Sequence, residues 1–170
     1  MTIEEKTTHH PRTVSESRSE YTEICLPNDT NMLGTMLGGR VMHLVDICGA
    51  IAAMRHARGP IVTASVDQMT FLHPIHVGEL ARLKSQVNRV FQSSMEVGVK
   101  VWVENLLTGE IKHTSSAYLT FVALDSQGCR VRIPPIVPET EEEQRRYAQA
   151  EKRRANRLAM KNRTRTEPQE

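Results

Sequence analysis

The run NMLGTMLGGRVMHLVDICGAIAAMRHA, residues 31–57, constrains this chain more than any other stretch. It reads as one long, nearly all-apolar helix, with the pair Gly38–Gly39 at its opening and a single acid, Asp46, near its middle. Such a helix must be covered on most of its surface. Leu44, Ile47, Ile51 and Met54 recur at helical spacing and form a bulky face suited to packing on a sheet. Asp46, Gly49, Ala50 and Ala53 form a second stripe, small enough for another backbone or a thin ligand to approach. Gly49 lowers helix propensity, so its place there asks for a reason. His43, Asp46 and Arg55 make the run a poor membrane span.

What covers the helix follows from the segments around it. EYTEICLP is a short candidate strand before it. PIVTASVDQMTFL after it is β-branched and alternating. HPIHVGE is a turn marked by Pro74 and Gly78. LARLKSQVNRVF places Ala81, Leu83 and Val87 on one face. SMEVGVKVWVEN alternates cleanly, with Met95, Val97, Val99, Val101 and Val103 on one side and Glu96, Lys100, Trp102 and Glu104 on the other. LLTGE is a hairpin signal, and IKHTSSAYLTFVAL is a long last strand. The order β-α-β-β-β-β, with short turns between long strands, predicts an antiparallel sheet. One long helix and one sheet face to bury predict an α+β fold in which the sheet curls around the helix.

The outer parts of the chain differ in composition. Hydrophobic residues make up only 39% of the whole because polar residues concentrate at the ends. Residues 1–19 read as a flexible polar tail on which little stability depends. Residues 20–125 form the domain, and 126–138, with IPPIVP, a proline-containing linker. Residues 139–163 read as a charged helix, acids leading and bases following as the helix dipole prefers, with a thin apolar stripe of Tyr147, Ala150 and Leu158. Residues 164–170 are a further tail. The formal net charge of +2 gives no case for nucleic acid or an anionic membrane as partner. The N-terminus lacks a basic region followed by an apolar one, so no secretory signal is expected. Three cysteines without metal-like spacing are expected as reduced thiols in a cytoplasmic protein. The histidines form no metal-like cluster: His9–His10 lies in the tail, and His73 and His76 flank Pro74. No metal is expected.

Asp46 admits two readings. One is an ion pair with His43, a turn earlier, or with a distant arginine. The other is a working carboxylate, and Gly38–Gly39 favours it. The first N–H groups of a helix have no partner within it, and the dipole there attracts negative charge, so this opening can hold an oxyanion. Gly38 and Asp46 are separated by two helical turns, about 12 Å. One reacting carbonyl cannot touch both within one chain. If both serve one reaction, they come from two subunits related by a two-fold axis.

The run NMLGTMLGGRVMHLVDICGAIAA resembles the helix motif of hot-dog-fold acyl-CoA thioesterases. More narrowly, it is similar to the branch of bacterial short-chain and animal cytosolic long-chain enzymes. The resemblance continues in order through VTASVDQMTFLHPIHVGE, SSMEVGVKVWVEN, AYLTFVALD and RIPPIVPETEEE, covering about residues 20–143. It implies a thioester hydrolase acting on fatty acyl-CoA, with Asn31 and Asp46 as the catalytic pair from opposite subunits. It also implies the backbone at Gly38 and Gly39 as receiver of the thioester oxygen, and a homo-oligomer built as a trimer of dimers. His73 stands where this family commonly carries a basic residue such as lysine. On this reading Asp46 acts as general base on water or attacks the thioester directly. Asn31 orients the water or the carbonyl, and residue type alone also allows it to be a loop or capping residue. No cofactor is implied, CoA being part of the substrate. Arg89, Ser93 and Ser94 near the strand turn are candidates for the CoA phosphates, with Arg82, Lys84 and Lys100 as further cations; a solvated strand face is the other reading. Thr63 is added to the substrate-binding candidates. A hydratase or dehydratase using Asp46 with His43, and a non-catalytic acyl-CoA-binding protein, remain as alternatives.

Overall fold

The computed structural model describes residues 10–166, with side chains as far as Met160. The elements in chain order are β1 (Arg12–Thr13), α1 (Val14–Ser17), β2 (Ser19–Ile24), α2 (Gly38–Ala57), β3 (Ile61–Val66), β4 (Leu80–Val90), β5 (Ser94–Glu104), β6 (Ile111–Ala123), β7 (Ile136–Val137) and α3 (Glu141–Thr166). Five strands form one antiparallel sheet in the order β2-β4-β5-β6-β3, curled around α2. The expected α+β architecture is therefore present. The alternation read from the sequence sets the core. Met95, Val97, Val99, Val101 and Val103 of β5 are buried beside Ala81, Leu83 and Val87 of β4 and Ala117, Leu119 and Phe121 of β6. Each fully buried valine or leucine contributes about 1.5–3 kcal/mol.

The helix differs from expectation in two respects. It begins at Gly38, and residues 31–37 form a turn tied to neighbouring loops by bridges of Thr30 with Met36 and of Thr35 with His76. Its sheet-facing side is also a different one. Val41, Leu44, Val45, Cys48, Gly49, Ala52, Ala53 and His56 are buried, whereas Ile47 and Ile51 are half-buried and Met54 is 45% exposed. Gly49 thus serves the core, not a ligand channel: a Cβ there would lie 3.3 Å from the Phe121 ring and 3.4 Å from Val99. The helix ends where Arg58 takes a left-handed conformation (φ 56°) and donates its N–H to Met54 O at 2.8 Å.

The flexible tail expected over residues 1–19 is corrected from Arg12 onward; residues 1–9 lie outside the described residues. Strand β1 pairs in parallel with β7, joining Arg12 to Ile136. Val14 is 1% exposed, and the Ser17 hydroxyl accepts the Val87 N–H at 3.0 Å. The linker expected over 126–138 is exposed over residues 126–130, but farther on Ile133 and Ile136 enter the core. Helix α3 opens on a capping box. Thr140 Oγ1 accepts the Glu143 N–H at 3.2 Å, and Glu143 Oε2 accepts the Thr140 N–H at 3.1 Å. Arg18 pairs with Glu143 at 2.7 Å. Of the apolar stripe expected on α3, Ala150 is buried and Tyr147 half-buried, but Leu158 is 51% exposed. Among the described residues no helix is long and apolar enough to cross a membrane, and the three cysteines are free thiols.

Two predictions come from α2. Gly49→Val forces a branched side chain against Phe121 and Val99 and is expected to lower stability by about 1–3 kcal/mol, read as a lower urea midpoint. His56 is fully buried, and its ring nitrogen Nε2 donates to Pro134 O at 2.8 Å, while Nδ1 has no partner among the described residues. Burial pushes the imidazole pKa down, against the opposing pull of the Pro134 hydrogen bond. The unfolded chain therefore takes up this proton first, so stability holds above about pH 6.5 and falls as pH drops below that value. Denaturant unfolding between about pH 8 and 5 checks the decline, and His56→Gln is expected to make it shallower.

Candidate active site

Rotation of α2 about its axis decides where its acid points. With Leu44, Val45, Cys48 and Gly49 directed into the sheet, Asp46 comes out at the side facing β3. There the Thr63 hydroxyl donates to Asp46 Oδ1 at 2.7 Å. This bond holds the carboxylate by one oxygen and leaves the other for chemistry. Among the described residues no cation lies within ion-pair distance of Asp46, and the exposed His43 makes no bond to it. The ion-pair reading of this acid is thereby set aside.

The start of α2 is built differently. Leu37 precedes it and offers no side-chain cap, and the N–H groups of Gly38 and Gly39 find no acceptor among the described residues. Beside them lies a cavity of about 330 Å³, lined by Thr35, Gly38, Val41, Phe71, His73 and Thr114 among others. The Phe71 ring lies 3.5 Å from where a Gly38 side chain would begin, at ordinary van der Waals contact. The His73 ring nitrogen Nδ1 donates to His113 O at 3.0 Å, which fixes the imidazole on this wall.

Asn31 sits in the exposed turn that leads into the helix. Its Oδ1 accepts the Leu33 N–H at 2.9 Å and the Thr35 N–H at 3.3 Å, and its Nδ2 lies 2.9 Å from Thr35 Oγ1. Within one chain the asparagine organises this turn. It makes no contact with Asp46, which stands two helical turns beyond Gly38. The candidate residues therefore form two groups. Asn31, Gly38 and Gly39 gather at the helix start, and Asp46 with Thr63 lies against β3. Thr35 and Phe71 were not singled out from the sequence. Thr35 had one signal, its place four residues after an asparagine in a glycine-containing turn.

Three of the cations read as candidates for the CoA phosphates have partners within the chain. Arg89 is committed to α3: it pairs with Glu151 and its guanidinium lies 4.1 Å from the centre of the Tyr147 ring. Arg82 pairs with Glu104 at 2.9 Å and Lys84 with Glu20 at 2.8 Å. Ser93 and Ser94 stand half-buried at the β4–β5 turn, and their hydroxyls make no hydrogen bond among the described residues. Register places Ser94 opposite Val122, and Val122 opposite Val62. Ser94 is thus two strand spacings, about 10 Å, from the strand that carries Thr63. Among the described residues no group of three or more His, Cys, Asp or Glu side chains is arranged to hold a metal ion.

Known proteins with this sequence pattern and this fold carry thioester chemistry. The thioesterase superfamily profile matches residues 33–110. The chain is 46% identical over 136 residues to the uncharacterized acyl-CoA thioester hydrolase YkhA of Bacillus subtilis, covering 80% of this chain and 79% of that one. It is 34% identical over 161 residues to the cytosolic acyl coenzyme A thioester hydrolase of Rattus norvegicus, covering 94% of this chain but 42% of that longer one. Among solved structures, an apo-hexameric acyl-CoA thioesterase superposes with a TM-score of 0.86 at 40% identity, over 93% of this chain and 99% of that one. The acyl-CoA hydrolase of Staphylococcus aureus, solved with butyryl coenzyme A and coenzyme A, superposes with a TM-score of 0.84 at 35% identity, over 91% and 94%. That enzyme has also been solved with an asparagine, an aspartate or a threonine replaced by alanine. The extent of these matches and the curled sheet around one central helix together make this chain a member of the hot-dog-fold acyl-CoA thioester hydrolase family.

Proposed function

We propose that this protein hydrolyses the thioester of fatty acyl-CoA, giving free acid and CoA, at sites shared between two subunits. The observation that carries the reading is the Asp46 carboxylate held by the Thr63 hydroxyl at 2.7 Å with no cation against it. Asp46 takes a proton from water, and the water oxygen bonds to the thioester carbon. The carbonyl oxygen becomes an oxyanion facing the free N–H groups of the partner's Gly38 and the partner's Gly39. Asn31 of the partner subunit orients the water or the carbonyl. The oxyanion collapses, the carbon–sulfur bond breaks, and the thiolate leaves readily because a thiol has a pKa near 8.5; the proton held by Asp46 passes to the thiolate, restoring the carboxylate. Attack by Asp46 itself, through an anhydride, uses the same placement. No step draws on a metal or a cofactor.

The intervals between residues support these roles. In the Staphylococcus aureus variants the aspartate follows the asparagine by 15 positions and the threonine follows the aspartate by 17, the same intervals that separate Asn31, Asp46 and Thr63 here. The edge strand supports the shared site. β3 pairs on one side only, with β6, and exposes Val62 and Val66. An open edge with exposed valines is suited to pairing with a second copy. The hexameric thioesterase structure supports assembly of this chain as a trimer of dimers. Ser93, Ser94 and Lys100 remain as candidate contacts for CoA, and the cytosolic rat relative and the free thiols support a cytoplasmic location. A hydratase would need Asp46 to work with a histidine, and His43 stands exposed and unattached to it.

Asp46→Ala is expected to abolish release of free thiol from acyl-CoA while leaving the oligomer intact; turnover near the parental rate would refute the assignment. Co-refolding inactive Asn31→Ala and Asp46→Ala subunits is expected to restore roughly a quarter of the sites, because free exchange gives that share an intact Asn31 facing an intact Asp46. Absence of recovery in mixtures shown by mass to contain hybrids would place both residues in one chain's site.

A further inference from the structure

Helix α3 lies on the outer face of the sheet and is fixed there mainly by charge. Glu96 of β5 is 0% exposed. Its carboxylate accepts from Arg153 Nη2 at 2.7 Å, from Arg157 Nη1 and Nη2 at 3.2 Å, and from Asn88 Nδ2 at 3.2 Å. The two arginines stand one turn apart on α3. Arg153 also covers the Tyr118 ring of β6 at 3.7 Å from its centre. Arg157 reaches past Glu96 to Asp67 at 2.7 Å, just after β3, and the Asp67 N–H donates to Tyr118 O at 2.9 Å. Two side chains of one helix thus clamp β5, β6 and the exit of β3.

The clamped strand is an edge of the five-stranded sheet. β3 pairs only with β6, with an irregular register between Thr63 and Ser65. Thr63 on this strand holds Asp46. Beyond Asp67 the chain runs on to Phe71, Leu72 and His73, which wall the cavity beside Gly38. Thr63 and one wall of the cavity beside Gly38 therefore lie on either side of a residue tied to α3. We infer that Asp67 and Arg157 are positioning residues for hydrolysis: the ion pair holds the end of β3 so that Thr63 presents Asp46 at its working angle. The inference rests on the proposed roles of Asp46 and Thr63.

Asp67→Asn tests this without exposing the core. Arg153 and Arg157 still neutralise Glu96, and Asp67 itself is only partly buried, so no buried carboxylate is left unpaired. Three results are expected: a kcat for acyl-CoA hydrolysis lower by roughly tenfold with KM little changed, an unchanged oligomer, and near-parental activity for Asp67→Glu. In a Thr63→Ala background the further loss from Asp67→Asn is expected to vanish, because the two act through one path. Parental kcat in Asp67→Asn, or a full additional loss in the Thr63→Ala background, overturns the inference. Amide hydrogen exchange separates it from the site assignment. Faster exchange over Val62–Val66 in Asp67→Asn is expected, and unchanged exchange there refutes the clamp whatever the Asp46 variant does.

Discussion

The contact between the Phe121 ring and the bare backbone of α2 at Gly49 sets the geometry of this protein. A helix that must lie in the hollow of a curled sheet needs one place where it comes close, and glycine provides it. Once Gly49 faces Phe121 and Val99, the helical period leaves no choice for its neighbours. Asp46, three residues earlier, points about 60° away. That angle carries the carboxylate out of the core and against β3, where a threonine hydroxyl meets it. The same rotation leaves Ile47, Ile51 and Met54 on the side the chain does not cover completely.

The strands were legible because alternation is a binary signal. Met95 through Val103 face the core in the order written, and their neighbours Glu96 and Lys100 face the other way. The rotation of the helix was not legible. Bulk suggests a packing face, so Leu44, Ile47, Ile51 and Met54 stand out in the sequence, yet close contact with a sheet favours glycine and alanine. Val14 is a lone apolar residue in a polar run, and its burial depends on residues that follow much later in the chain. Arg89 looked free because Glu151 and Tyr147, its partners, lie on a helix whose docking face no periodicity announces. At the candidate site, the lone acid and the glycine pair stand out in the sequence by residue type alone. The two threonines that orient the candidate side chains, Thr63 for Asp46 and Thr35 for Asn31, carry their meaning only in three dimensions.

Those threonines give the two halves of the site a common character. Each of the two proposed catalytic side chains is oriented within the chain by a neutral hydroxyl. A hydroxyl fixes direction without bringing a second full charge that would compete for the carboxylate. Pre-set orientation removes reorganisation from the reacting step, which is where polar sites gain most of their effect. The sheet and α2 provide this arrangement within each chain, and the proposed pairing of subunits joins the halves.

The pairing of β1 with β7 joins the earliest described strand to one made near the end of the chain. A ribosome adding 5–20 residues per second would leave Arg12 and Thr13 waiting on the order of ten seconds for their partner. Throughout that interval Val14 has no finished pocket and Arg18 has no Glu143 to meet. The emerging sheet therefore assembles with this strap still loose, and the strap closes only after β7 and the start of α3 have been made. Its latch, the Arg18–Glu143 pair at the opening of α3, forms only after the whole five-stranded sheet has been synthesised.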